Sequence, residues 1–236
     1  LRSLAVCHHG LLEAADAVGG RPHLLLFEFP EGAVIDDFRA NEANAYAVMW
    51  ESTHNDREDT VTEAILRLLR GSPVRVGLDD YVGAYKTLPP DESQRWLSHI
   101  LVWDTDAQAW KVGELLTLPF GAVGAVVGWW RMAMAHRAIV RRLFGLVVFY
   151  YIDDTHVVEP AASADEAKDL FIEVIGLLGW RLDEAKRQHM ATEVASLGCV
   201  LAVHQHGVSW RLSEEKRKRW TDDIREVLEC GVLTLE

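Results

Sequence analysis

FYYIDDTHVV, residues 149–158, sets two adjacent aspartates between two apolar runs. Flanks rich in β-branched and aromatic residues read as strands, and the acidic pair reads as the tight turn between them. Such a hairpin buries its flanks and presents Asp153 and Asp154 at its tip. Aspartate also tolerates turn geometry for its own sake, so plain turn chemistry competes with a functional reading. A second apolar run, VRVGLDD at 74–80, ends in Asp79-Asp80. Two strand-end acidic pairs on neighbouring strands gather negative charge in one cleft, which is costly unless a cation neutralises it. All-oxygen donors suit Mg2+ or Mn2+ better than zinc. Two ions on shared carboxylates suit in-line phosphoryl transfer. The expectation is that Asp80 and Asp153 lie on adjacent strands of one sheet.

Outward from these strands the chain alternates helical and extended pieces. LLLFEF before a turn-like PEG is extended. Residues 60–70 read as a helix, with Thr60 and Glu63 at capping-box spacing, Val61, Ile65, Leu68 and Leu69 on one face, and Gly71 past the end. HILVWD (99–104) and WKVGELLTL (110–118) form a hairpin, and a long helix spans 122–144. Ser163 and Glu166 repeat the capping-box spacing and open a helix carrying Leu170, Phe171, Val174, Ile175 and Leu178. That helix is expected on the back of the sheet, away from the aspartates. Residues 194–211 read as a hairpin turning at His206-Gly207, and an amphipathic helix follows Ser213. The fold class is therefore α+β, an antiparallel sheet with helices on one face.

The chain has 236 residues, 49% hydrophobic and 25% charged, enough for one sizeable core. The longest apolar run, LVVFYYI at 146–152, is strand length, so no membrane partner is expected. Three cysteines without CxxC spacing argue for a reducing, intracellular compartment, cytoplasm or nucleus, and against a disulfide framework. The chain begins with Leu1 and shows no signal pattern, which reads as part of a longer product. A net charge of −12 runs against unassisted nucleic-acid binding. Basic residues do cluster, at Arg131, Arg137, Arg141 and Arg142 and at Lys216–Arg219, and the helical stripe faces either a template or solvent. His8-His9 and His204/His206 read as surface histidines.

In order along the chain, VIDDF (34–38), DYVGAYKTLP (80–89), LPFG (118–121), YIDD (151–154), LGWRLDEAK (178–186) and LGCVL (197–201) resemble the motif series of reverse transcriptases, in particular those of retrotransposon-type elements. Each motif alone is weak; the ordered series spans most of the chain. The resemblance implies a right-hand polymerase palm with partial fingers: fingers at 1–73, a catalytic palm at 74–211, and the start of a thumb or connection at 212–236. It implies an RNA-directed DNA polymerase whose partners are template-primer nucleic acid and dNTP, within a longer polyprotein. It makes Asp80, Asp153 and Asp154 catalytic and the ligands of two Mg2+ or Mn2+ ions. Tyr81 would contribute its backbone carbonyl. Tyr85 would lie under the sugar and exclude a 2′-hydroxyl, Phe120 and Gly121 would shape the nucleotide pocket, and Lys186 would face the triphosphate. Against these stand a core tyrosine at 85, a plain loop at 120–121 and a solvated lysine at 186. Asp36 and Asp37 read as structural.

The sequence also departs from the family. The PEGAV stretch leading into the IDDF-like segment carries no basic residue, Arg21 being the nearest upstream and Arg39 following, Asp79 is an additional acid, and Trp129 and Trp130 crowd the helix after LPFG. Two further readings stay open: a decayed or domesticated domain with a binding role, and another palm-type polymerase.

Overall fold

The computed structural model describes residues 24–28, 34–36, 44, 49–104 and 106–230. The chain divides into two compact units, each made of two chain segments: Leu1–His54 with Gly83–Ala133, and Asn55–Val82 with Met134–Glu236.

The first unit holds a four-stranded sheet of order β2-β1-β4-β5. β1 (Leu24–Glu28) runs antiparallel to β2 (Val34–Asp36) and parallel to β4 (His99–Asp104), and β4 forms a hairpin with β5 (Ala109–Glu114). This is the hairpin expected from HILVWD and WKVGELLTL, although β5 stops at Glu114. Asp104 closes its turn by accepting from the N–H groups of Asp106 and Ala107, which is the Asx chemistry that favours aspartate there. Asp37 and the PEG segment lie outside the described residues.

The second unit is built on a sheet of order β6-β7-β3-β8, with β3 (Val74–Asp80), β6 (Val148–Tyr151), β7 (Asp154–Pro160) and β8 (Gln188–Ala191). Every pairing in it is antiparallel. A three-stranded sheet of β9 (Glu193–Ser196), β10 (Cys199–His204) and β11 (Gly207–Leu212) follows. Period-two alternation sorts β3 cleanly. Val74, Val76 and Leu78 join a core with Val61 and Ile65 of helix α1 (Glu58–Leu68), Phe149, Val158, Val194, Leu201 and Val203. Gly77 and Asp79 face the opposite way, toward helix α3 (Ala164–Leu177), where Lys168 Nζ lies 3.1 Å from the place a Gly77 Cβ would occupy. Helices thus cover both faces of this sheet rather than one, because the apolar stripe of α1 claims the Val74 face and that of α3 the other.

The long helix α2 (Val123–Phe144) and the C-terminal helix α4 (Glu214–Cys230) stand close to their expected places. On α3, Phe171, Val174 and Ile175 are buried, Leu170 is half-buried, and Asp165 and Glu166 are exposed. Leu178 is exposed because the helix ends before it.

Both capping boxes fail. α1 begins at Glu58, two residues early, and the Thr60 N–H goes to Asp59. Ser163 occupies the N-cap position without a capping bond, and its hydroxyl donates to the Pro160 carbonyl instead. The last hairpin turns at Gln205-His206, one residue earlier than expected, because His204 pairs with Gly207.

Candidate active site

The three aspartates meet at one end of the second unit's main sheet. Asp80, the last residue of β3, stands opposite Asp154, the first residue of β7. Asp153 sits in the two-residue turn between Tyr151 and Asp154, which pair with each other. Ile152, the other turn residue, has φ 55°. A β-branched residue in the left-handed region is a strained outlier, costing on the order of 1–3 kcal/mol, and such strain persists only where the surroundings fix it. Here they do. The outer edge of β6 is clasped by the segment before α1: the Asp56 N–H donates to the Tyr150 carbonyl (3.0 Å), and Asp56 Oδ2 accepts from the Tyr150 N–H (3.0 Å). Arg137 Nη1 binds both Asp56 oxygens at 2.8 Å, and Arg141 Nε donates to the Val148 carbonyl. A sheet edge that would otherwise expose unpaired groups is thereby closed, and the hairpin tip is held.

Arg137 and Arg141, both half-buried, are therefore engaged in holding the edge of β6. In the first unit Arg131 is likewise engaged, by Glu51 at 2.9 Å. Nothing local in the sequence signals Asp56, which lies 94 residues from its partner Tyr150.

Lys186 comes to the same end of the sheet, and its Nζ donates to Asp80 Oδ2 at 2.5 Å. The pair of Asp80 raises Lys186 above the usual lysine range. Burial, then the neighbouring Asp153 and Asp80 charges, push the Asp154 carboxyl up to about 6, and burial with Asp80 raises Asp153. The segment carrying Lys186 is stitched to β3 by backbone bonds: Val82 N–H to the Arg181 carbonyl, and Asp183 N–H to the Asp80 carbonyl.

Tyr81 turns its side chain away, into the core. Its hydroxyl lies 3.2 Å from His136 Nδ1 and 3.1 Å from the Tyr150 hydroxyl, and Trp180 packs edge-on to both Tyr81 and His136. Only its backbone remains for a ligand. His156, two residues past Asp154, is buried and bonded to Ser196 (2.7 Å), and burial pushes it down to about 4.

Within the first unit, Tyr85 lies in a 3-10 turn at Ala84–Thr87, 7% exposed, and packs edge-on against Phe120 with ring centroids 5.0 Å apart. Gly121 has φ 87°, a conformation that favours glycine. Asn44, which sequence reading passed over, binds the Gly121 carbonyl through Nδ2 and the Val123 N–H through Oδ1, fixing the entry to α2.

The donor set of the second unit fits a hard divalent cation chemically. It offers three carboxylates; burial first, and then the Asp80 charge, raises Asp153 and Asp154, with Asp153 adding to the rise of Asp154, so a cation would relieve the cost. Among the described residues, however, no three His, Cys, Asp or Glu side chains converge as a ready-made cage, and Asp80 is closed by Lys186.

No protein-family model and no curated protein matches the chain. Solved structures do. The foamy viral protease-reverse transcriptase bound to an RNA/DNA hybrid superposes with a TM-score of 0.57 at 17% identity, over 84% of this chain and 24% of that one. A form of the foamy viral enzyme bound to double-stranded DNA gives 0.59 at 16% identity, over 84% and 32%. A mutant of the prototype foamy virus enzyme gives 0.53 at 17% identity, over 74% and 21%. This chain thus spans a third or less of the length of those chains. No helix among the described residues is long and apolar enough to cross a membrane.

Proposed function

We propose that this chain, which carries a reverse transcriptase-like fold, is the palm with part of the fingers of an RNA-directed DNA polymerase. The observation that carries the reading is the register pairing of Asp80 with Asp154, with Asp153 held beside them at a strained and clasped turn. Its partners would be a template-primer and dNTP, and the foamy viral structures bound to an RNA/DNA hybrid and to DNA support that class of ligand. Asp80, Asp153 and Asp154 would hold two Mg2+ or Mn2+ ions, which supply charge to the triphosphate and lower the cost of ionising the primer hydroxyl.

The chain's own residues do the rest. Asp153 and Asp154, held above the usual carboxylate range by burial and neighbouring negative charge, are carboxylates that gain by neutralisation. Lys186 brings an ammonium whose Nζ can neutralise or protonate phosphate. Tyr81 would act through its carbonyl, since its hydroxyl is committed to the core. Tyr85, five residues along the chain from Asp80, would read the sugar, and Phe120 with Gly121 would shape the nucleotide pocket.

The test is primer extension by the full-length parent on an RNA template, with and without Mg2+. Asp153→Asn keeps the side-chain shape and removes a charge, so extension should fall at least about a hundredfold with the fold intact. Undiminished extension would overturn the chemistry. The net charge of −12 favours a second reading, a non-catalytic binding module. A folded wild-type protein that binds template-primer and never extends it would select that reading.

A further inference from the structure

Asp79 is the acid that the polymerase reading leaves without a task. It precedes Asp80 on β3, so strand alternation sends its side chain to the opposite face. There its carboxylate is wholly buried, against Lys168 Nζ of α3 at 2.5 Å and Arg187 Nε at 3.1 Å. The lysine contact is an ion pair without hydrogen-bond angles. Lys168 is itself 4% exposed and Arg187 17%. Arg187 is the immediate neighbour of Lys186, which holds Asp80 from the other side of the sheet. Two consecutive acids on β3 are thus matched by two consecutive bases entering β8, one pair buried and one at the surface.

Physical chemistry separates the two pairs. The Lys186 side chain is 65% exposed, and an ion pair of that kind holds a flexible ammonium only weakly. A buried pair gains little net stability over apolar packing, yet it is costly to break and therefore fixes its partners in place. The space around it is tight, since a Cβ on Gly77 would sit 2.6 Å from Met190 Sδ and 3.1 Å from Lys168 Nζ.

We propose that Asp79, Lys168 and Arg187 form a buried charge anchor whose task is to set the position of Lys186 over Asp80. The three are positioning residues, acting through the backbone between 186 and 187. The catalytic consequence rests on the polymerase reading; the geometric one does not.

The experiment reads the geometry first. In the full chain, with metal removed by EDTA, a carbodiimide joins amines to carboxylates in direct contact, and mass spectrometry quantifies the Asp80–Lys186 link. Arg187→Gln should lower its yield about fivefold, the scale on which an exposed pair loosens. Asp79→Asn leaves two buried cations unpaired and can unfold the chain. The double variant Asp79→Leu, Lys168→Met removes the carboxylate together with the more deeply buried cation and leaves only Arg187, 17% exposed, without its partner, and it should lower the yield as Arg187→Gln does. Arg187→Lys should restore part of it. The second readout is extension by the parent. The Arg187→Gln loss should appear in kcat with KM little changed, and should vanish in a Lys186→Met background, because a residue acting through Lys186 has nothing left to act on. Unchanged cross-linking in a folded Arg187→Gln variant overturns the anchor. So does an Arg187→Gln loss that persists in full without Lys186. A wild-type protein with the expected cross-linking pattern and no extension upholds the anchor and refutes the polymerase reading instead.

Discussion

Replacing Asp154 by Asn should make the chain more stable at neutral pH, and the size of the gain follows from its surroundings. The ordinary value of an aspartate carboxyl is 3.8, and burial with Asp153 and Asp80 nearby pushes this one up to about 6. The folded chain therefore holds the proton more tightly than the unfolded chain does. Stability contributed by the protonated group is present below about pH 4 and is lost as pH rises through about 6. A displacement from 3.8 to about 6 corresponds to about 3 kcal/mol. Asp154 is only half-buried, so solvent screens part of this, and about 1.5 kcal/mol is the expected cost of its charge at pH 7.5. Asp154→Asn removes the charge at nearly constant shape. Urea unfolding in EDTA should show the variant about 1.5 kcal/mol more stable at pH 7.5 and equal to wild type near pH 4. A variant that is neutral or less stable at pH 7.5, or whose gain is the same at both pH values, would refute the electrostatic account of the acidic cluster.

Asp56→Ala strips the partner from the half-buried Arg137 and from the Tyr150 N–H, so urea unfolding should show a loss of about 3 kcal/mol, and parent extension should fall with it as the hairpin tip loosens. Gly77→Ala drives a methyl to 2.6 Å from Met190 Sδ and 3.2 Å from the Gln188 carbonyl, and thermal unfolding should report a destabilisation of about 1–3 kcal/mol from overpacking. Tyr85→Ala removes no candidate metal ligand, so dNTP addition by the parent should partly survive while discrimination against rNTPs weakens. Unchanged sugar selection would leave Tyr85 as the packing partner of Phe120 alone.

What the sequence made legible was local. FYYIDDTHVV and VRVGLDD announce two strands ending in acids because an apolar run broken by adjacent carboxylates has few other solutions, and the structure pairs them in register. The capping boxes were equally local signals, and both lost to neighbours that the spacing rule ignores: Asp59 beside Thr60, and the Pro160 carbonyl within reach of Ser163. β8 and β9 were missed because QHMA and EVAS carry little apolar periodicity, and β8 becomes a strand by docking on β3.

The hardest residues to read were those that hold the site from behind. Lys168 looks like any solvated lysine on a helix, and Asp56 like any loop acid; each gains its meaning from a partner about ninety residues away. Asp79 is the instructive case. A run of two aspartates invites one role for both, yet a period of two residues forbids them a common face. One must point to the acidic cluster and the other toward α3. Burial there is tolerable only with cations to receive it, so an acid in that position calls for buried bases elsewhere in the chain. The same reasoning assigns Asp80 to the cluster, because its neighbour on β7 is Asp154, while the neighbour of Asp79 is the fully buried Thr155, whose hydroxyl donates to the Asp79 carbonyl. The pleat of one strand therefore divides an acidic pair into a candidate ligand and its support.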